Sequence, residues 1–128
     1  MRNKKELDVL KSYKELDVWR RSFDLCKPIY ILTKELPQDE RFGLTAQLRR
    51  AAVSIPSNIA EGYGRHSRKD YIRYLWMANG SLLELETQTL LLIELGYATP
   101  ASCGKILREI GDIERMIRAL IKALEEKA

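Results

Sequence analysis

The chain is short of the residues that metal and nucleophile chemistry usually require. Among its 128 residues there is one histidine, His66. A di-iron helical bundle ordinarily uses two Glu-x-x-His pairs, which one histidine cannot supply. A zinc site is no better served, because Cys26 and Cys103 have no metal-binding or redox spacing. The two thiols read instead as buried, reduced side chains of a cytoplasmic protein. No apolar run approaches the roughly 20 residues of a membrane-spanning helix, so no membrane partner is expected. The first ten residues are charged, and no secretory signal is expected from them. Four prolines and seven glycines are few, while leucine, alanine, glutamate, lysine and arginine dominate. That composition favours an all-α fold. A phosphate loop needs a strand before it, and none is expected here. Gly62-Tyr63-Gly64 therefore reads as a helix stop.

The chain does hold a long amphipathic segment with a proline inside it. From Leu44 to Ile59, apolar residues recur every three or four positions, the period of one helix face. Pro56 interrupts the backbone ladder there but not the apolar period. The segment is either one kinked helix or two helices meeting at Ser54–Ile55. The continuing period and the flanking serines favour a single kinked helix from Asp39 or Glu40 to Tyr63. Its many alanines and serines allow close helix neighbours.

Three more helices are expected. The first runs from Asp17, as N-cap, to Glu35, with Pro28 inside it. One stripe on it is Val18, Leu25, Ile29, Leu32 and Leu36; a second is Trp19, Phe23, Cys26 and Tyr30. The third helix runs from about Arg68 to Leu95, with Ser67 as cap and Asp70 at its positive end. Its core face is Tyr71, Tyr74, Leu75, Ala78, Leu82, Leu85 and Leu92. Ile72, Trp76, Leu83, Leu90 and Ile93 widen that face beyond what one bundle covers, which argues for an oligomer. Thr99-Pro100 opens the fourth helix, which runs to about Glu125. Ile106, Ile110, Ile113, Ile117, Leu120 and Leu124 form its a/d seam. Short connections predict an antiparallel up-down-up-down four-helix bundle over residues 13–128. Residues 1–12 read as a flexible N-terminal extension. In it Lys5-Glu6-Leu7-Asp8-Val9 foreshadows Lys14-Glu15-Leu16-Asp17-Val18.

Charge is uneven. The net charge is +4, but residues 1–75 carry 16 Lys and Arg against 10 Asp and Glu, and residues 76–128 carry 6 against 8. Between residues 41 and 73 seven cations face two anions. A basic block points to a polyanion such as RNA or another nucleic acid. The candidate binding residues are Arg49, Arg50, Arg65, His66, Arg68, Lys69 and Arg73. Arg49 and Arg50 leave the helix at successive angles, so at most one easily points inward. Tyr63 or Tyr71 can stack on a base, or belong to the core or an interface. Nothing encodes sequence readout, so binding would rest on phosphates and shape. Asn58 and Glu61 read as a structural polar network near the proline and the helix end. Glu84 and Glu86 do not share a helix face, so they are no acid–base pair. No catalytic role, cofactor or metal is expected. The alternative reading is a protein-only scaffold whose arginines serve subunit assembly.

One stretch also resembles a known family. Ala51-Ala52-Val53-Ser54-Ile55-Pro56-Ser57-Asn58-Ile59-Ala60-Glu61-Gly62, followed by Tyr63-Gly64-Arg65, is similar to the signature of the bacterial 23S rRNA intervening-sequence proteins. Leu16-Asp17-Val18-Trp19, Leu44 to Arg50, Tyr71 to Leu75, Gly80 to Gln88 and Leu95-Gly96-Tyr97 extend the likeness over roughly residues 13 to 124. In fold that family is similar to the accessory proteins of diversity-generating retroelements, which assist a reverse transcriptase. The resemblance implies an antiparallel four-helix bundle, a homopentameric ring and no established enzyme activity. It leaves open a ribosomal RNA setting or a reverse transcriptase partner. A ring of five such chains would carry about +20.

Overall fold

Four long helices follow one another along the chain: α1 (Asp17–Lys34), α2 (Leu44–Tyr63), α3 (Arg68–Glu94) and α4 (Pro100–Glu125). Short 3-10 turns at Tyr13–Glu15 and Gln38–Glu40 precede α1 and α2. This is a computed structural model that describes residues 11–126. The extension expected over residues 1–12 falls almost wholly outside the described residues. Among the described residues there is no strand. Each helix packs on its neighbours in sequence, and α1 also packs on α4. The apolar side chains of all four helices thus meet in one core. All six a/d residues expected on α4 are buried there.

Local chemistry explains the helix boundaries. Ser67 accepts from the Asp70 amide at 3.1 Å and starts α3. Thr99 and Ser102 form a reciprocal capping box before α4, with Pro100 in the first turn. At the other end of α3, Gly96 takes a positive φ of 79° and lets the Tyr97 amide reach back to the Leu92 carbonyl at 2.8 Å. A side chain is strained in that conformation, so glycine makes the stop.

Two expected helix starts shift. Leu16, not Asp17, is the N-cap of α1, and it makes no side-chain cap. Leu16 is drawn into the core, and its amide bonds the Tyr13 carbonyl, which sets the chain one residue earlier. Asp17 still places its carboxylate in the first turn, where the helix dipole favours it. The expected start of α2 at Asp39 or Glu40 is a separate 3-10 turn, and the α-helix begins at Leu44. Glu40 joins the two: one carboxylate oxygen accepts from the Leu44 amide at 3.2 Å, the other from the Tyr97 hydroxyl at 3.0 Å. That hydrogen bond pushes the Tyr97 hydroxyl above its ordinary pKa.

Pro56 lies inside one continuous helix, not between two. Because proline has no N–H, the Ala52 carbonyl loses its helical donor. The Cys26 thiol on α1 approaches that carbonyl at 3.5 Å and supplies a weak replacement. Burial pushes this thiol's pKa up, so it stays protonated and able to donate. Around the proline, Ser54, Ser57 and Asn58 each donate to a carbonyl in the preceding turn at 2.8 Å. Such back-bonding accommodates a locally disturbed ladder.

The seams differ in kind. Between α2 and α3, Gly62 lies against Tyr71 and Tyr74, while Gln88 donates to Gln47 at 3.4 Å. The end of α2 therefore meets the start of α3, and the start of α2 meets its end. A Cβ on Gly62 would sit 2.7 Å from the Tyr74 Cβ, closer than carbon atoms pack, so this seam needs a glycine. Between α1 and α4 there is instead an open groove of about 550 Å³, lined by Leu25, Pro28, Leu32 and Ile106. At its edge, Arg21 donates to Glu109 at 2.9 Å and to Asp112 at 2.9 Å.

Candidate nucleic-acid interface

The joint between α2 and α3 is short because both ends are locally determined. Gly62 permits the close approach of α3, and Ser67 restarts the helix after three residues, Gly64, Arg65 and His66. Five polar side chains consequently crowd one end of the bundle: Arg65, His66, Arg68, Lys69 and Arg73. All five are exposed.

They divide into two groups. Arg65 and Arg73 flank Tyr74, with their guanidinium carbons 4.7 and 4.8 Å from its ring centre. Arg65 also donates to the Tyr74 hydroxyl at 2.5 Å and lies 3.5 Å from Glu61. Arg73 lies 3.6 Å from Asp70. These are exposed pairs of small energetic worth, but they hold two guanidinium planes in place. His66, Arg68 and Lys69 form the second group. Among the described residues they have no ion-pair partner, and the charges of Arg68 and Lys69 are directed at water. Helix geometry adds the first-turn amides of Arg68 and Lys69, which have no intrahelical acceptor.

Arg49 and Arg50 do not join this cluster. They lie about 22 Å away along α2, at 1.5 Å per residue. Arg49 is half-buried on the seam with α1. It donates to Thr33 Oγ1 at 2.9 Å and to the Tyr30 carbonyl at 3.4 Å, and stacks on the Tyr30 ring at 4.5 Å. Arg50, the next residue, is exposed. The block of seven cations read along the sequence is therefore split in space. At the joint itself, Arg65, Arg68, Lys69 and Arg73 stand against Glu61 and Asp70.

Asn58 and Glu61 make separate local contacts. Asn58 bonds backward within α2, and Glu61 reaches forward to Arg65. Tyr63 and Tyr71 are half-buried and meet edge to face at 6.1 Å, an arrangement that closes the α2–α3 seam. Burial pushes the Tyr71 hydroxyl well above the ordinary tyrosine value. The ring held between arginines is Tyr74, which the apolar period had placed with the core. Its one sequence cue was the adjacent Arg73; the contribution of Arg65 depends on the chain folding back. Among the described residues, no cluster of three His, Cys, Asp or Glu side chains could hold a metal.

The joint and its flanking helices lie inside a recognisable sequence pattern. The family described as 23S rRNA-intervening sequence protein matches residues 14–119. The chain belongs to that family. Family likeness thus begins within the 3-10 turn before α1 and covers α1, α2, the whole joint, α3 and most of α4. A crystal structure from Bacteroides thetaiotaomicron, of a protein with unknown function from the S23 ribosomal protein family, has the same fold. The TM-score is 0.76 at 29% identity, over 82% of this chain and 98% of that one. No curated protein matches the chain. Among the described residues of this family member, no helix is long and apolar enough to cross a membrane.

Proposed function

We propose that this member of the intervening-sequence family is a non-enzymatic, cytoplasmic ring of five helical bundles that binds RNA or another nucleic acid. The binding surface is the α2–α3 joint, repeated once per copy. One observation carries this reading: Arg68, Lys69 and His66 project into water without a counter-charge, beside two arginines fixed around Tyr74. Such a surface suits phosphates, and its repetition would multiply a weak contact. The Tyr74 ring, already covered by guanidinium groups, leaves base recognition a minor part. The RNA-related name of the family agrees with this reading. The protein then acts as an accessory factor, to ribosomal RNA or to a reverse transcriptase.

Fluorescence titration of a structured RNA with the wild type and with Arg68→Glu/Lys69→Glu tests the proposal. The variant is expected to bind at least tenfold more weakly, with the slope of log affinity against log salt reduced by about 1 per lost phosphate contact. Equal binding by both proteins would refute it. Arg49 stands apart from the binding surface, because its hydrogen bonds go to Thr33 and Tyr30 on α1 of the same chain.

A further inference from the structure

The bundle leaves two apolar faces in water, and the charges around them are opposite. The first face spans α1 and α2. Phe23, Tyr30 and Val53 are exposed on it, and Arg49 crosses between the helices to stack on Tyr30. Lys27, Lys34 and Arg50 are exposed around them. From Arg41 to Ala60 every charged residue is an arginine. The acids on α1 are Asp17 and Asp24, and Asp24 is paired with Arg20 at 3.8 Å.

The second face is the outer side of α3. Trp76, Leu83 and Leu90 recur at intervals of seven and are 45, 40 and 50% exposed, with Leu91 beside them. They lie opposite the core stripe of Leu75, Leu82, Leu85 and Leu92, all buried. From Tyr74 to Gly104 the only charged residues are glutamates, Glu84, Glu86 and Glu94. Glu84 and Glu94 are exposed. Arg118 covers the ring of Trp76 at 5.6 Å, so the acidic apolar surface is centred on the later half of α3.

A helix in a single bundle needs one apolar stripe, and α3 carries two. Exposed apolar surface rimmed by charge marks a contact site. We infer that the two faces are partners: the basic α1–α2 face of one copy packs on the acidic outer face of α3 in a second copy. This rests on the assembly part of the function proposed above, and it specifies the contact. Because the two surfaces differ, the contact is head to tail, and each copy keeps one face of each kind for its neighbours. The joint at Arg65 to Lys69 belongs to neither face and stays open to a nucleic acid.

Light scattering on three proteins tests the pairing. These are the wild type, a Lys27→Glu/Arg50→Glu variant and a Glu84→Lys/Glu94→Lys variant. The wild type is expected above the 14.8 kDa of one chain, and each variant at that mass with helical content unchanged. Mixing the two variants in equal amounts should raise the mass above one chain, since each reversed face then finds its complement on the other variant, although a closed ring of five cannot alternate the two throughout. An assembled wild type whose variants stay assembled, or a mixture that stays at one chain, would overturn the pairing but leave the oligomer standing. A wild type at one chain would overturn both.

Discussion

The α2–α3 and α1–α4 seams solve the same packing problem with different chemistry. The first is closed by contact: Gly62 admits the Tyr74 side chain, and two tyrosines meet across it. The second has a groove at its centre and an arginine gripping two carboxylates at its edge. The difference bears on function. Where packing holds the seam, Arg68 and Lys69 stay exposed with no ion-pair partner among the described residues. Where packing is open, Arg21 is consumed by Glu109 and Asp112. A cation's role here follows from what faces it, more than from its place in a basic run.

Breaking the packed seam should cost most. Gly62→Ala puts a Cβ 2.7 Å from that of Tyr74. Overpacking of this kind costs about 1–3 kcal/mol, and part of it is offset by alanine's better helix propensity, about 1 kcal/mol. A lower urea midpoint is the expected readout. The α1–α2 seam offers an intermediate case. Cys26→Ala leaves the Ala52 carbonyl without its thiol donor, a loss of about 1 kcal/mol for an orphaned acceptor. Cys26→Ser, which keeps a donor, should recover much of it in the same unfolding experiment.

The charged seam should respond less, and with a pH signature. Arg21→Met is expected to lose no more than about 1 kcal/mol, because its ion pairs are partly exposed. The hydrogen bond from Arg21 holds the Asp112 carboxyl below its ordinary value. A carboxyl depressed by folding adds stability above the unfolded value, near pH 4, and loses it as pH falls through the folded value. The gap between wild type and Arg21→Met should therefore be full at neutral pH and close below about pH 4. Added salt should narrow it as well. Smallest of all is the expected effect of Arg68→Ala/Lys69→Ala on stability, within about 0.5 kcal/mol, as for ordinary surface changes. A large loss there would mean that the joint cations are structural, and the contrast between the seams would fail.

Much of the fold was legible because its signals are local. Ser67 and Thr99 cap their helices within three residues, and the α4 seam repeats without interruption. Errors came where a distant residue decides. The start of α2 depends on Glu40, whose carboxylate also serves Tyr97, 57 residues away. Leu16 replaces Asp17 as a cap because the core claims it. At the candidate site, the run of Arg65, His66, Arg68 and Lys69 was readable as a basic connection. The distance of Arg49 and Arg50 from it follows from the length of the expected helix, but the turn of Arg49 onto Thr33 and Tyr30 was not readable, since a charge run carries no record of neighbours. Nor was Tyr74 readable as the ring between two arginines, because Arg65 reaches it only after α3 folds back on α2.

The most direct measurement is RNA co-elution with the intact protein in size exclusion with light scattering, at low and at high salt. A multi-chain mass that carries structured RNA at low salt and releases it at high salt is expected, with release at lower salt for Arg68→Glu/Lys69→Glu. Protein that ignores RNA at low salt, or holds it equally at both salts and in the variant, would contradict the joint as a phosphate-binding surface.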